Sequence, residues 1–222
     1  KTDRNEEKSR ESGHAGEISA CYARAVSIYD EMLKGRPKED PAYIWVLESS
    51  LMSRYARVCH RLEGDIWTWK DERSEMFAAE PLYPCETPEF FRAQMEGDLE
   101  MLEKETAWLY RDRDPVAAES QMGLICEKGA EYYDMVQDEG KAVLWCEKIM
   151  TLLKNTGGEI SPARRWGVAG RFFKAARIFC RWGKYDEAQE AADLSGKMLS
   201  GRDGGWAEKK GYSRQLRMMK GE

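Results

Sequence analysis

Residues Phe172–Leu199 read FFKAARIFCRWGKYDEAQEAADLSGKML, and this stretch decides the fold. Phe172, Phe173, Ala176, Phe179 and Cys180 recur at helical spacing on one face of the first half. Lys174, Arg177 and Arg181 fall on the other face. Trp182-Gly183-Lys184-Tyr185-Asp186 interrupts the pattern, which resumes with Glu187-Ala188 and Ala192. A glycine beside a charged residue between two amphipathic runs predicts an antiparallel helical hairpin closed by a tight turn.

Gly129–Leu153, GAEYYDMVQDEGKAVLWCEKIMTLL, aligns with that stretch through Ala130, Tyr133, Ala142 and Ile149. Cys21–Pro37, CYARAVSIYDEMLKGRP, aligns with its second half through Ala25, Tyr29, Met32 and Pro37. These units resemble tetratricopeptide repeats. Ala176 stands at the close-packed small position, Phe179 in the aromatic slot, and Gly-Lys-Tyr-Asp-Glu-Ala at the turn. The likeness fades between Tyr55 and Pro81, where Trp69 replaces a small residue, and stops over 82–112. It covers about two thirds of the chain, with helices longer than the usual repeat of roughly 34 residues allows. The resemblance implies a superhelical scaffold that binds proteins or peptides. A non-repeating helical bundle is the alternative.

Four prolines follow a capping residue, at Asp40-Pro41, Thr87-Pro88, Asp114-Pro115 and Ser161-Pro162. A capping oxygen ahead of proline marks a helix start, because proline lacks only a donor that would be orphaned there anyway. β-branched residues are sparse, and alternating runs are absent. Periodicity predicts an all-α chain of about nine antiparallel helices, at 15–35, 41–62, 65–79, 88–112, 115–136, 139–154, 162–182, 184–199 and 204–219. Gly64, Gly140 and Gly183 are expected at the tight turns. Residues 1–14 read as a polar leader or linker, and 15–222 as a single helical-repeat domain. The start at Lys1, without Met, is what a piece of a longer protein would show.

The chain has 222 residues, 34% of them charged and 42% hydrophobic, with a net charge of −5. No apolar run approaches the roughly 18 residues of a spanning helix, and none near Lys1 resembles a signal peptide. The net charge argues against direct nucleic-acid binding. Six well-separated cysteines and no export signal point to reduced thiols in a cytoplasmic setting.

Catalytic chemistry finds few carriers. His14 and His60 are the only histidines. His14 lies in the leader, and His60 is expected at a helix end, facing the negative end of the dipole. Cys59 and His60 point about 100° apart on a helix, so they form no dyad. Neither Gly157-Gly158 nor Gly201–Gly205 has the strand context or Lys-Ser/Thr of a phosphate loop. No catalytic residue, metal ligand set or cofactor is assigned.

Charge is more informative. Between Ser161 and Lys184 there are seven basic residues and no acid, while Glu119–Glu139 holds six acids and one Lys. The two stripes either form solvated faces, pair with each other, or line a groove. The tetratricopeptide resemblance implies the groove. It turns Arg177 and Arg181 toward the concave face, with Glu127, Glu131 and Asp134 one repeat earlier and Arg54 and Arg61 in the early unit. With Arg171 and Lys174, these are the candidate peptide-binding residues, and a charged protein or peptide segment is the expected partner. Arg171, Lys174, Arg177 and Arg181 are expected to be at least partly accessible, because one helix cannot bury four cations without acids. Phe172, Phe173 and Phe179 are expected inside. Trp145, Trp166 and Tyr133 are expected to fill gaps between helices. The reading is a non-catalytic binding scaffold. The alternative is a C-terminal ligand- or peptide-sensing domain of a bacterial transcriptional or signalling regulator.

Overall fold

A computed structural model describes residues 18, 20–69, 88–111, 114–154, 162–199 and 214. Seven helices occur among them, and no strand. They are α1 (20–33), α2 (Pro41–Trp69), α3 (Pro88–Tyr110), α4 (Pro115–Met135), α5 (Glu139–Lys154), α6 (Pro162–Arg181) and α7 (Tyr185–Met198). The all-α expectation is met. Four helices begin at the four capped prolines. Asp40 accepts from Ala42 N at 2.9 Å, and Asp114 accepts from Val116 N and Ala117 N at 3.0 Å each. These bonds satisfy first-turn donors that have no partner inside the helix.

Three sequence expectations fail. The chain does not turn at Gly64, because α2 runs unbroken through it to Trp69. The expected helices at 41–62 and 65–79 are therefore continuous as far as they are described. His60 then lies within a helix rather than at its end, with its ring 6.1 Å from that of Tyr22. Gly140 is not the turn residue either, since it lies in the first turn of α5. Residues 1–14 and, apart from Arg214, 204–219 lie outside the described residues, as do Cys85, Trp206, Gly157-Gly158, Gly201–Gly205, and the Trp67 and Trp69 side chains.

The chain divides into two compact units, Lys1–Leu109 and Tyr110–Glu222. In the first, Met95, Leu99, Leu102 and Leu109 form the buried stripe of α3, and Val46, Leu47, Leu51, Val58 and Leu62 that of α2. Asp98 lies inside this apolar setting. It accepts from Arg54 Nη1 at 2.7 Å and from Arg57 Nε and Nη2 at 2.7 and 2.6 Å. Arg54 also pairs with Asp30 of α1, so one arginine ties three helices together. Arg61 is fully buried, its guanidinium 5.1 Å from the centre of the Phe91 ring.

Among the described residues of the second unit there are two hairpins, α4–α5 and α6–α7, with α6 packed against both α4 and α5. Their turns are built alike, 46 residues apart. Val136 N and Asp138 N donate to Tyr132 O and Tyr133 O, as Trp182 N and Lys184 N donate to Ile178 O and Phe179 O. A left-handed residue sits in each turn, Gln137 at φ 59° and Gly183 at φ 71°. Ala130 and Ala142 of the first hairpin correspond to Ala176 and Ala188 of the second, and all four are buried. Phe172, Phe173 and Phe179 are buried as expected, and so are Trp145 and Tyr133. Trp166 is not; its indole is exposed. No described helix is long and apolar enough to cross a membrane.

Candidate functional site

The acid stripe of α4 and the basic stripe of α6 meet. Arg164 Nη2 lies 2.6 Å from Glu119 Oε1, and Lys174 Nζ donates to Glu131 Oε1 at 2.6 Å and also to Glu127. Arg181 pairs with Asp134, whose other oxygen accepts from Trp182 Nε1 at 3.0 Å. Lys128 adds a contact to Glu131 at 2.8 Å. The α4–α6 partners stand 44 to 47 residues apart in sequence, apart from one rung at 43. A near-constant offset means that the two helices run side by side in the same direction, with one ladder of ion pairs along their seam.

The electrostatics follow from this geometry. Burial pushes the Glu131 carboxyl up, but Lys128 and Lys174 together outweigh it and hold the group below its ordinary value. For Asp134 burial wins, and its pKa is raised despite Arg181 and Trp182. Burial alone would lower the Lys174 pKa. Glu131 and Glu127 reverse that and raise it.

Arg171 departs from expectation. It is 8% exposed rather than accessible, because its side chain lies along glycines on both helices. A Cβ added at Gly123 would sit 3.3 Å from Arg171 Cδ, and one at Gly167 would sit 3.5 Å from its Nη1. Acids from the neighbouring helix make the burial tolerable, with Glu127 Oε2 at 3.4 Å from Nε. That separation is long for a charge-assisted hydrogen bond. Nε is shut off from solvent without a hydrogen bond. Arg177 is exposed, and its charge acts on the Asp134 carboxyl.

The remaining candidates separate. Lys174, Arg177, Arg181, Glu127, Glu131 and Asp134 share the seam with Arg171, although Asp134 is itself buried. Arg54 and Arg61 belong to the first unit and are buried there, so they do not present a binding surface. The sequence reading missed Asp98. Its position among Met95, Leu99 and Leu102 on one helical stripe is the signal that marks it as a buried acid needing cations. It also missed Gly123 and Gly167, whose role depends on a side chain from another part of the chain.

Cys126, Cys146 and Cys180 are buried thiols, and burial together with Asp134 pushes the Cys146 pKa far upward. Such a thiol is a poor nucleophile. No group of three or more His, Cys, Asp or Glu side chains among the described residues is arranged to hold a metal ion. Comparison with known proteins finds no matching family model, no similar curated protein and no similar solved structure.

Proposed function

We propose that this chain is a non-catalytic scaffold of tetratricopeptide type that binds a charged protein or peptide segment along the α4–α6 seam. The observation that carries the reading is the pair of hairpins 46 residues apart, with matching turns and matching buried alanines. Successive hairpins of this kind set their first helices side by side, and their shared face is where such scaffolds hold extended partners. Here that face is polar, and its charges are held in place by one another. Fixed charges lose little conformational entropy on binding, which favours recognition over adhesion.

A randomised peptide library displayed against the whole chain tests this. Selected sequences should bind in the micromolar range, and amide exchange should slow along α4 and α6. Failure to select any sequence, or protection confined to the first unit, would refute the reading.

A further inference from the structure

We infer that the outer face of the α1–α2 hairpin is where two copies of this chain meet. Three contacts fix how these helices lie: Asp30 with Ser50 Oγ at 3.3 Å, Asp30 with Arg54, and the Tyr22 ring with that of His60. Moving forward along α1 moves backward along α2, so the two run antiparallel. Asp30 and Arg54 mark the side toward α3, where Arg54 also meets Asp98. Tyr22 and His60 mark the side away from it.

Continuing round each helix past Tyr22 and His60, away from α3, come two stripes. On α1 they are Cys21, Ala25, Ile28 and Met32; on α2, Trp45, Ser49, Met52, Ala56 and Cys59. At about 100° per residue, each stripe spans an arc of about 80° or less. The spacing alternates between three and four residues, as in a seam built to pack on another helix. None of these nine residues is charged, and none is buried.

The area on offer suits a dimer. Ile28 is 50% exposed, Trp45 62% and Met52 73%, and with Met32 they put roughly 500 Å² of apolar surface in water, near the upper end of what a lone monomer carries in one patch. The smaller members of the stripes and the rim bring the face toward the roughly 800 Å² that each partner buries in a stable interface. Its width also matters. Ile28 and Met52 stand near one level and lean away from the line between the helices, so one added helix would leave them wet. A second hairpin covers both.

The face also fits itself, with large residues placed to meet small ones. A two-fold axis crossing it at Ile28 and Met52 brings Met32 over Ala25 of the second copy, Ser49 over its Ala56, and Trp45 over its Cys59. Such a contact is isologous and closes at two chains. No charge on the stripes opposes the approach of an identical copy.

Sedimentation equilibrium of the whole chain over a range of concentrations tests this. A species of twice the 25.6 kDa chain mass should form at micromolar concentration. Met52→Glu brings two carboxylates together near the axis and should weaken association at least about a hundredfold. Trp45→Ser should weaken it too. Both side chains are exposed in the single chain, so neither variant should change the circular dichroism. Met52→Cys should link two copies in oxidised glutathione faster than the unaltered chain or Leu144→Cys, an exposed position on α5. A single-chain mass up to about 100 µM, a dimer indifferent to Met52→Glu, or no faster linking through Met52→Cys would overturn the inference. So would a monomer that takes up an added amphipathic helix on this face. The stripes lie in the first unit and the α4–α6 seam in the second, so neither result bears on the peptide-library experiment.

Discussion

Gly129→Ala tests the packing of the α4–α5 hairpin with little ambiguity. A Cβ at this position would sit 2.4 Å from Cδ2 and Cε3 of Trp145, where carbon atoms prefer about 3.5 to 4.0 Å. The indole cannot simply swing away. It is buried, stacked on Tyr133 with centroids 6.3 Å apart, and covered by Lys148 Nζ at 4.2 Å. Two effects compete. Replacing a helical glycine by alanine gains about 1 kcal/mol in propensity, and overpacking a filled site costs about 1 to 3 kcal/mol. A shift of more than 1 Å puts this case at the upper end of that range, so the net change is a destabilisation of about 1 to 2 kcal/mol. Gly170→Ala is the control, because no atom lies within 4 Å of its Cβ position. It should stabilise by about 0.5 to 1 kcal/mol. Urea titration followed by near-ultraviolet circular dichroism reports both. Trp145→Leu, which removes the ring, should make Gly129→Ala neutral or stabilising when the two are combined. A stabilising Gly129→Ala in the unaltered background would show that the hairpin is looser than described.

Further outcomes follow from particular contacts. Asp98→Ala strands Arg57 in the interior, leaves Arg54 with Asp30 alone, and should cost about 3 to 5 kcal/mol in the same titration, whereas Arg164→Ala on the partly exposed seam should cost about 1 or less. Gly183→Ala meets no atom but must adopt φ 71°, so it should cost about 1 to 2 kcal/mol by thermal unfolding. The Glu131 carboxyl is held below its ordinary value of 4.5, so its contribution to stability is complete above pH 4.5 and lost as pH falls through the lowered value. Lys174 is raised above 10.5, so its contribution is complete below pH 10.5 and lost as pH rises through the raised value. Lys174→Met should therefore move the Glu131 midpoint upward in a carboxyl NMR titration and remove the Lys174 share of the alkaline loss. An unmoved midpoint would show that Lys174 does not set the Glu131 charge.

Local chemistry made much of the architecture legible. A proline at the first helical position behind a capping oxygen is a statement about a few adjacent atoms; helices start at Pro41, Pro88, Pro115 and Pro162, and Asp40 and Asp114 cap two of them. The burial of Phe172 and Phe179 follows equally from periodicity. Gly183 forms its turn because only glycine takes a positive φ without strain. The same reasoning misjudged Gly64, since an isolated glycine costs a helix only about 1 kcal/mol, which packing on either side can offset. It also overlooked Gln137, which occupies the left-handed position while its side chain donates to Asp134 O at 3.0 Å.

The charges belong to the tertiary structure. From the sequence, the basic run of α6 and the acidic run of α4 could be solvated, paired or open to a ligand, and all three are compatible with helical periodicity. Whether a cation is exposed depends on what stands opposite it, and here the opposite residue lies 43 to 47 positions away in the chain. Packing α6 against α4 therefore decided that Lys174 and Arg181 are neutralised, that Arg171 is drawn in between Gly123 and Gly167, and that Arg177 is left in solvent. The sequence determined the helices and their apolar faces, because those depend on neighbours within a few residues. Pairing of charges is a long-range consequence of the fold, and only the assembled helices reveal which ones are neutralised and which stay in solvent.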